Sequence, residues 1–202
     1  MQRITEPDQI QLDFSRTFPS LVLASSSPNR RALLETGGAE VTTFTPDADE
    51  TRDGKTPLET VLRIAERKLD AYLSSSSFNP ALPAISCDTM VLIGGRLLGK
   101  PKDEEDAYSM LKELSGKRQS VISAAFLYLP ERGKIAVPDE AGVIFRKLPE
   151  SEIREYVSTN EWQGAAGGYR LQKTGYKLVE SIDGDWTTVV GLPLKKILSL
   201  CT

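Results

Sequence analysis

An α/β layer fold is predicted by three features of this sequence. Strand signals and helix signals alternate along the chain. Two helix starts carry a capping residue followed by proline, at Ser27-Pro28 and Thr56-Pro57. The 202 residues are 40% hydrophobic and 26% charged, the balance of a soluble globular protein. That length suits one domain, or one domain with two lobes.

The elements follow in order. Met1 to Ser20 is polar with scattered acids and lacks the basic-then-apolar order of a signal peptide. It reads as an extension, a mobile arm or an added strand, ahead of a single domain over 21–202. Leu21 to Ala24 is a short apolar strand. Pro28 opens a helix with Ser27 as N-cap, running to about Thr36 and stopped by Gly37-Gly38. Val41 to Phe44 is a second strand, and Asp47 to Lys55 an acidic loop. Thr56-Pro57-Leu58-Glu59 begins a helix whose apolar residues recur at Leu58, Val61, Leu62, Ala65, Leu69 and Tyr72. Ser74 to Pro83 is a loop. Ala84 to Ile93 is a strand that turns at Gly94-Gly95 and returns through Arg96-Leu97-Leu98 as a hairpin. A second amphipathic helix covers Asp103 to Leu114. Two long strands, Arg118 to Leu129 and Lys134 to Leu148, join near Pro130 to Gly133. A helix covers about Glu150 to Ser158. Asn160 to Thr174 is rich in glycine and polar residues, and its Gly164 to Gln172 part reads as a flexible lid or a linker. Tyr176 to Ile182 is a strand, Asp183-Gly184 a turn, and Leu192 to Leu200 a final helix.

Composition excludes several functions. The net charge of −3 leaves no basic footprint for nucleic acid. No apolar run is long enough to span a membrane. Cys87 and Cys201, the only cysteines, suggest neither a disulfide framework nor a zinc site, which fits a reducing cytoplasm. The chain has no histidine, so Ser-His-Asp and Cys-His machinery and histidine metal sites are absent. Acid–base chemistry must use carboxylate, lysine or tyrosine, and any metal must be a hard, oxygen-liganded ion such as magnesium or manganese.

Four places carry residues suited to chemistry. At Ser25 to Arg31, two arginines stand in the first turn of a helix, against the positive end of its dipole. An external anion would resolve this by drawing N–H groups, serine hydroxyls and both guanidiniums together; solvated arginines are the plainer alternative. Asp88 interrupts a mostly apolar strand, as a metal ligand or general base in a cleft, or as an aspartate bonded to a nearby turn. Lys68 lies at the edge of its helix's apolar stripe, either snorkelling or reaching into a cleft, whereas Arg63, Arg67 and Asp70 point away. Asp49-Glu50 sit in the acidic loop, where solvated charge is the default. Gly94 to Lys100 fits the spacing of a phosphate-binding P-loop, but Pro101 stands where a Ser or Thr hydroxyl is needed and the glycines sit in a hairpin, so that reading is rejected. Together, anion donors, lysines and carboxylates suit phosphate chemistry on a metal-bound nucleotide.

The ordered segments resemble the Maf family of nucleoside triphosphate pyrophosphatases. The matching pieces are Leu23-Ala-Ser-Ser-Ser-Pro-x-Arg-Arg31, Asp49-Glu50, Arg63-x-Ala-x-x-Lys68 and Cys87-Asp-Thr89, then Leu98-Gly-Lys-Pro-Lys-Asp103, Leu111-x-x-Leu-Ser-Gly116, Gly167-Gly-Tyr-x-Leu-Gln172 and Val190-Gly-Leu-Pro-Leu194. They cover nearly everything from Leu21 to Leu200. The resemblance implies a two-lobed, ITPase-like α/β fold around a long twisted mixed sheet, with the active site in a cleft between lobes. It implies hydrolysis of a nucleoside triphosphate to the monophosphate and pyrophosphate with a divalent metal, and a homodimer. By motif, Asp88 is the proton acceptor, with Glu50 assisting at the metal or water. Ser25, Arg30, Lys68 and Lys100 bind phosphates, and Asn29, Thr89 and Gln172 stand at positions linked to base selectivity.

Two subgroups are separated by local sequence. Those acting on dTTP and UTP usually carry Arg after the Ser-x-Ser-Pro, and those acting on 7-methyl-GTP an aromatic residue; Asn29 matches neither. Gly164-Ala165 also departs from the Asp-Lys usual in the dTTP/UTP subgroup. Gln172, Tyr169 and Val189-Val190-Gly191 fit that subgroup better. The expectation is therefore a dTTP/UTP pyrophosphatase, extending to modified nucleotides, with 7-methyl-GTP hydrolysis or a non-catalytic regulator of septum formation as the alternatives.

Overall fold

A computed structural model describes residues 15–200. Most of the expected N-terminal extension, residues 1–14, and Cys201 lie outside the described residues. The elements in chain order are β1 (Ser20–Ala24), α1 (Pro28–Thr36), β2 (Glu40–Phe44), α2 (Pro57–Leu73), β3 (Ala84–Ile93), β4 (Arg96–Leu98), α3 (Glu104–Leu114), β5 (Arg118–Leu129), β6 (Gly133–Phe145), α4 (Glu150–Ser158), β7 (Val179–Asp183), α5 (Trp186–Val190) and α6 (Leu194–Ser199). The mixed sheet has seven strands in the order β2-β1-β3-β5-β6-β7, with β4 beside β3. Two compact units form. The first holds the described residues up to Asp88, Ser123–Asp139 and 191–200; the second holds Thr89–Ile122 and Glu140–Val190.

In the first unit β1 runs parallel to both β2 and β3, with Ala24 opposite Phe44 on one side and Ser86 on the other. The first crossover moves one way across the sheet and the second moves back past β1. Right-handed crossovers therefore send α1 and α2 to opposite faces. Alternation along β1 serves both: Leu21 and Leu23 pack with Leu34 of α1, and Val22 and Ala24 with Leu69 and Tyr72 of α2. Phe18, ahead of β1, is buried in the α1-side cluster. Each helix begins as its sequence dictates. The Arg30 amide donates to Ser27 Oγ, and the Glu59 amide to Thr56 Oγ1 at 3.1 Å. Glu59 departs from the usual capping box, because its carboxylate takes the Lys55 amide rather than that of the cap residue.

In the second unit the β3–β4 hairpin turns on Gly94 and Gly95, whose φ angles of 54° and 81° suit a two-residue turn with both central residues left-handed. This geometry confirms that Gly94 to Lys100 is not a phosphate loop. The core gathers Ala107, Leu111 and Leu114 of α3, Val143 and Phe145 of β6, and Ile153 and Val157 of α4.

The structure corrects several boundaries. β6 ends at Phe145 rather than Leu148. β7 begins at Val179 instead of Tyr176, because residues 174–178 wind into a 3₁₀ turn that buries Gly175 and Leu178. Residues 186–190 form a short helix where none was expected, and the last helix starts at Leu194, after Pro193. The glycine-rich stretch is neither lid nor linker. Tyr169 and Leu171 are buried in the core, the Gly167 amide donates to the Gly99 carbonyl at 2.9 Å, and a Cβ on Gly167 would stand 2.8 Å from Val91 Cγ2.

One long-range pair crosses the sheet in this unit. Arg118 Nη2 of β5 donates to Asp183 Oδ2 of β7 at 2.9 Å. Gly142 of β6 lies opposite Asp183, and a Cβ there would stand 2.5 Å from Arg118 Nη2. The missing side chain lets the guanidinium lie across β6. Its hydrogen bond and charge hold the Asp183 carboxyl below the ordinary 3.8. A lowered folded pKa means that the stabilisation is present above the unfolded value and is lost as pH falls through the folded one. Carbon-detected NMR should find Asp183 titrating below 3.8 in the native protein, and Arg118→Ala or Gly142→Val should move it back toward that value.

Candidate active site

Three carboxylate and lysine side chains meet in the first unit. Ser86 and Asp88 share a face of β3, as residues two apart on a strand must. That face meets α2: Ser86 Oγ donates to the Ala65 carbonyl at 2.6 Å, and one turn further on Lys68 Nζ donates to Asp88 Oδ1 at 2.7 Å. Lys68 is 6% exposed and Asp88 7%. The lysine therefore does not snorkel; it turns inward onto the strand. Its Nζ also lies 2.7 Å from Glu50 Oε1, so the acidic loop contributes a carboxylate that is paired while still facing solvent. The other Asp88 oxygen, Oδ2, is buried and has no hydrogen-bond partner among the described residues. A carboxylate so buried is tolerated because a buried ammonium compensates it.

The loop after β1 forms a second cluster. Arg30 is 8% exposed; its Nε donates to the Gly191 carbonyl at 2.8 Å and its Nη1 to Ser25 Oγ at 2.9 Å. Ser25 Oγ also accepts the Ser27 amide at 3.2 Å. Two acceptances on one hydroxyl leave its own O–H to donate elsewhere. Arg31 does not join this cluster. It is exposed and pairs with Glu35 at 2.7 Å, one helical turn along, so the expected convergence of both guanidiniums is not formed. Asn29, between Pro28 and Arg30, is half-buried. The Gly191 carbonyl, which also receives Cys87 Sγ at 3.1 Å, is a structural centre that residue-type reasoning passed over; its only signal was the glycine of the Val190-Gly-Leu-Pro segment.

Both clusters lie at the carboxyl ends of parallel strands. Ser25 follows β1, Glu50 follows β2, and Asp88 stands two residues beyond Ser86, which pairs with Ala24 of β1. Crossovers leave to opposite faces here, and open α/β sheets bind ligands at such a point. The remaining expected residues belong to the second unit. Thr89 is half-buried beside Asp88 in β3, and Lys100 is exposed just after β4. Gln172 is half-buried, and its Nε2 is buried without a partner among the described residues.

A divalent ion is compatible with the carboxylates here. Among the described residues no three or more acidic, histidine or cysteine side chains gather as a metal cage. Magnesium does not require one: it is bound through one or two carboxylates, with water and substrate phosphates completing the shell. The Asp88 and Glu50 carboxylates can supply such a pair.

These features define an α/β protein that presents a lysine-compensated carboxylate pair and a serine–arginine loop beyond parallel strands. The model of the Maf-like protein family matches residues 20–202, and the chain belongs to that family. It is 39% identical over 181 residues to a dTTP/UTP pyrophosphatase of Pyrococcus furiosus, covering 89% of this chain and 93% of the relative. It is 40% identical over 182 residues to a dTTP/UTP pyrophosphatase of Pelotomaculum thermopropionicum, covering 89% and 94%. Among solved structures, a dITP/XTP pyrophosphatase of Mycobacterium abscessus is a distant match, with a TM-score of 0.41 and 16% identity over 90% of this chain and 93% of that one. No helix among the described residues is long and apolar enough to cross a membrane.

The buried pair makes a stability prediction. Lys68→Met strands the Asp88 carboxylate and should destabilise the fold by about 3–5 kcal/mol in chemical denaturation at neutral pH. Asp88→Asn, which keeps an oxygen for Lys68 while Glu50 still offsets the ammonium, should cost clearly less.

Proposed function

We propose that this protein hydrolyses nucleoside triphosphates, dTTP and UTP among them, to the monophosphate and pyrophosphate. The observation that carries this reading is Asp88 itself. One oxygen is held on Lys68, and the other has no hydrogen-bond partner among the described residues, which leaves it available to accept a proton. The family and the activity named for its relatives set the substrate class.

In this reading water attacks the α-phosphorus, pyrophosphate leaves, and Asp88 Oδ2 takes the water's proton. Lys68 has three N–H donors; Asp88 and Glu50 account for two, and the third serves a phosphate oxygen. The Ser25 hydroxyl, oriented by Arg30, offsets charge on the phosphates. Magnesium or manganese, held through Asp88 and Glu50, would supply further neutralisation of the triphosphate and acidify a bound water. The family resemblance alone carries the further proposals that Lys100 binds phosphate, that Asn29, Thr89 and Gln172 meet the base, and that the enzyme is a homodimer; the acidic net charge and sparse cysteines support a cytoplasmic protein without nucleic-acid partners.

Product analysis on dTTP, UTP and 7-methyl-GTP with each metal tests the reading. Monophosphate and pyrophosphate are expected from dTTP and UTP; nucleoside diphosphate and phosphate would refute the mechanism, and 7-methyl-GTP turned over best would reassign the base. Asp88→Asn should lower kcat at least about a hundredfold while the protein stays folded by circular dichroism. Near-native turnover would place the base elsewhere.

A further inference from the structure

Glu50 lies in residues 45–56, a connection that contains no helix or strand, and its side chain is 55% exposed. An exposed glutamate on such a stretch samples many arrangements unless its neighbours are held. Yet its Oε1 meets Lys68 Nζ at 2.7 Å.

The neighbours on both sides are held by one guanidinium. Arg67 Nη1 pairs with Asp49 Oδ2 at 3.1 Å, and its Nη2 donates to the Thr51 carbonyl at 2.7 Å and to Asp53 Oδ1 at 3.0 Å. Its Nε reaches back to the Arg63 carbonyl of its own helix at 3.3 Å. Asp49 in turn accepts the Thr51 amide at 2.9 Å and its hydroxyl at 2.5 Å. Arg63 adds a weaker contact to Asp53 at 3.3 Å. Residues 67 and 68 are adjacent on α2, so their side chains diverge by about 100°. One grips the loop on either side of Glu50; the other receives its carboxylate beside Asp88. We propose that Arg67 is a positioning residue, which sets Glu50 onto Lys68 by pinning Asp49, Thr51 and Asp53 to α2. A lysine cannot replace it, because a point charge does not reproduce a planar fork that serves three acceptors.

The test uses Arg67→Ala, Arg67→Lys, Glu50→Ala and the Arg67→Ala/Glu50→Ala double variant. Amide hydrogen exchange should quicken at residues 49–53 in both Arg67 variants while α1 and β1 keep their protection. Unchanged exchange there overturns the clamp. With dTTP and magnesium, Arg67→Ala should lower kcat by about ten- to a hundredfold, the scale of a misplaced catalytic group, with KM changed less than about threefold. In the Glu50→Ala background the same change should lower kcat no further. An equal fall in both backgrounds would mean that Arg67 does not act through Glu50, and the proposal fails. The kinetic arm rests on the pyrophosphatase reading. A native chain that hydrolyses no triphosphate defeats that reading, and exchange at residues 49–53 still decides the clamp.

Discussion

The burial of a carboxylate within a β-strand is the constraint on which the site depends. Asp88 stands where an apolar side chain would pack more cheaply, between Cys87 and Met90 of a nearly dry strand. An ion in that position requires a partner as buried as itself, and only a long cationic side chain from the facing helix can supply one. Lys68 meets the requirement because α2 covers that face and because Ala65, one turn earlier, lies close enough for its carbonyl to take the Ser86 hydroxyl. The Ser86–Ala65 bond fixes how α2 sits on β3. The Lys68–Asp88 pair then follows from helical spacing. The lysine engages one carboxylate oxygen and leaves the other without a partner among the described residues.

The parallel strands explain why the two clusters differ in character. The face of β3 that carries Ser86 and Asp88 is covered by α2, and the face that carries Cys87 meets the Gly191 carbonyl and the cluster built on α6. Arg30 belongs to that second side. Its guanidinium is committed to Gly191 and Ser25, and it orients the Ser25 hydroxyl. The helix that begins at Pro28 starts at the same end of the sheet, its Arg30 amide capped by Ser27 Oγ. Charge placed at its N-terminus is therefore not misplaced: one arginine is absorbed by the protein's own carbonyl and hydroxyl, and the other pairs with Glu35 in solvent.

The acidic loop shows how surface ion pairs matter in a network. Individually, exposed pairs contribute little. Arg67 gathers three acceptors from a stretch without regular structure, and Glu59 and Arg63 continue the network along α2. The value of the arrangement lies in geometry more than in stability, because it delivers a carboxylate from a loop to a lysine on a helix.

Local information in the chain was enough to establish the alternation of strands and helices, the two capped helix starts, the Gly94-Gly95 hairpin and the family, because each depends on neighbours within a few residues or on ordered motifs. Asp88 and Lys68 were visible as misfits, a charge in a dry strand and a cation beside an apolar stripe. Their union was not, since it depends on how α2 packs on β3. The same holds for Arg30 on Gly191, 161 residues away, and for Arg118 reaching Asp183 over Gly142. The glycine-rich stretch was misread for a related reason: its composition describes an unpacked chain, and only contact with Gly99 and Val91 turns it into core. Sequence alone determined which residue types were present to handle an anion. Tertiary structure decided which of them meet, because burial and long-range hydrogen bonds belong to pairs of elements and to neither one by itself.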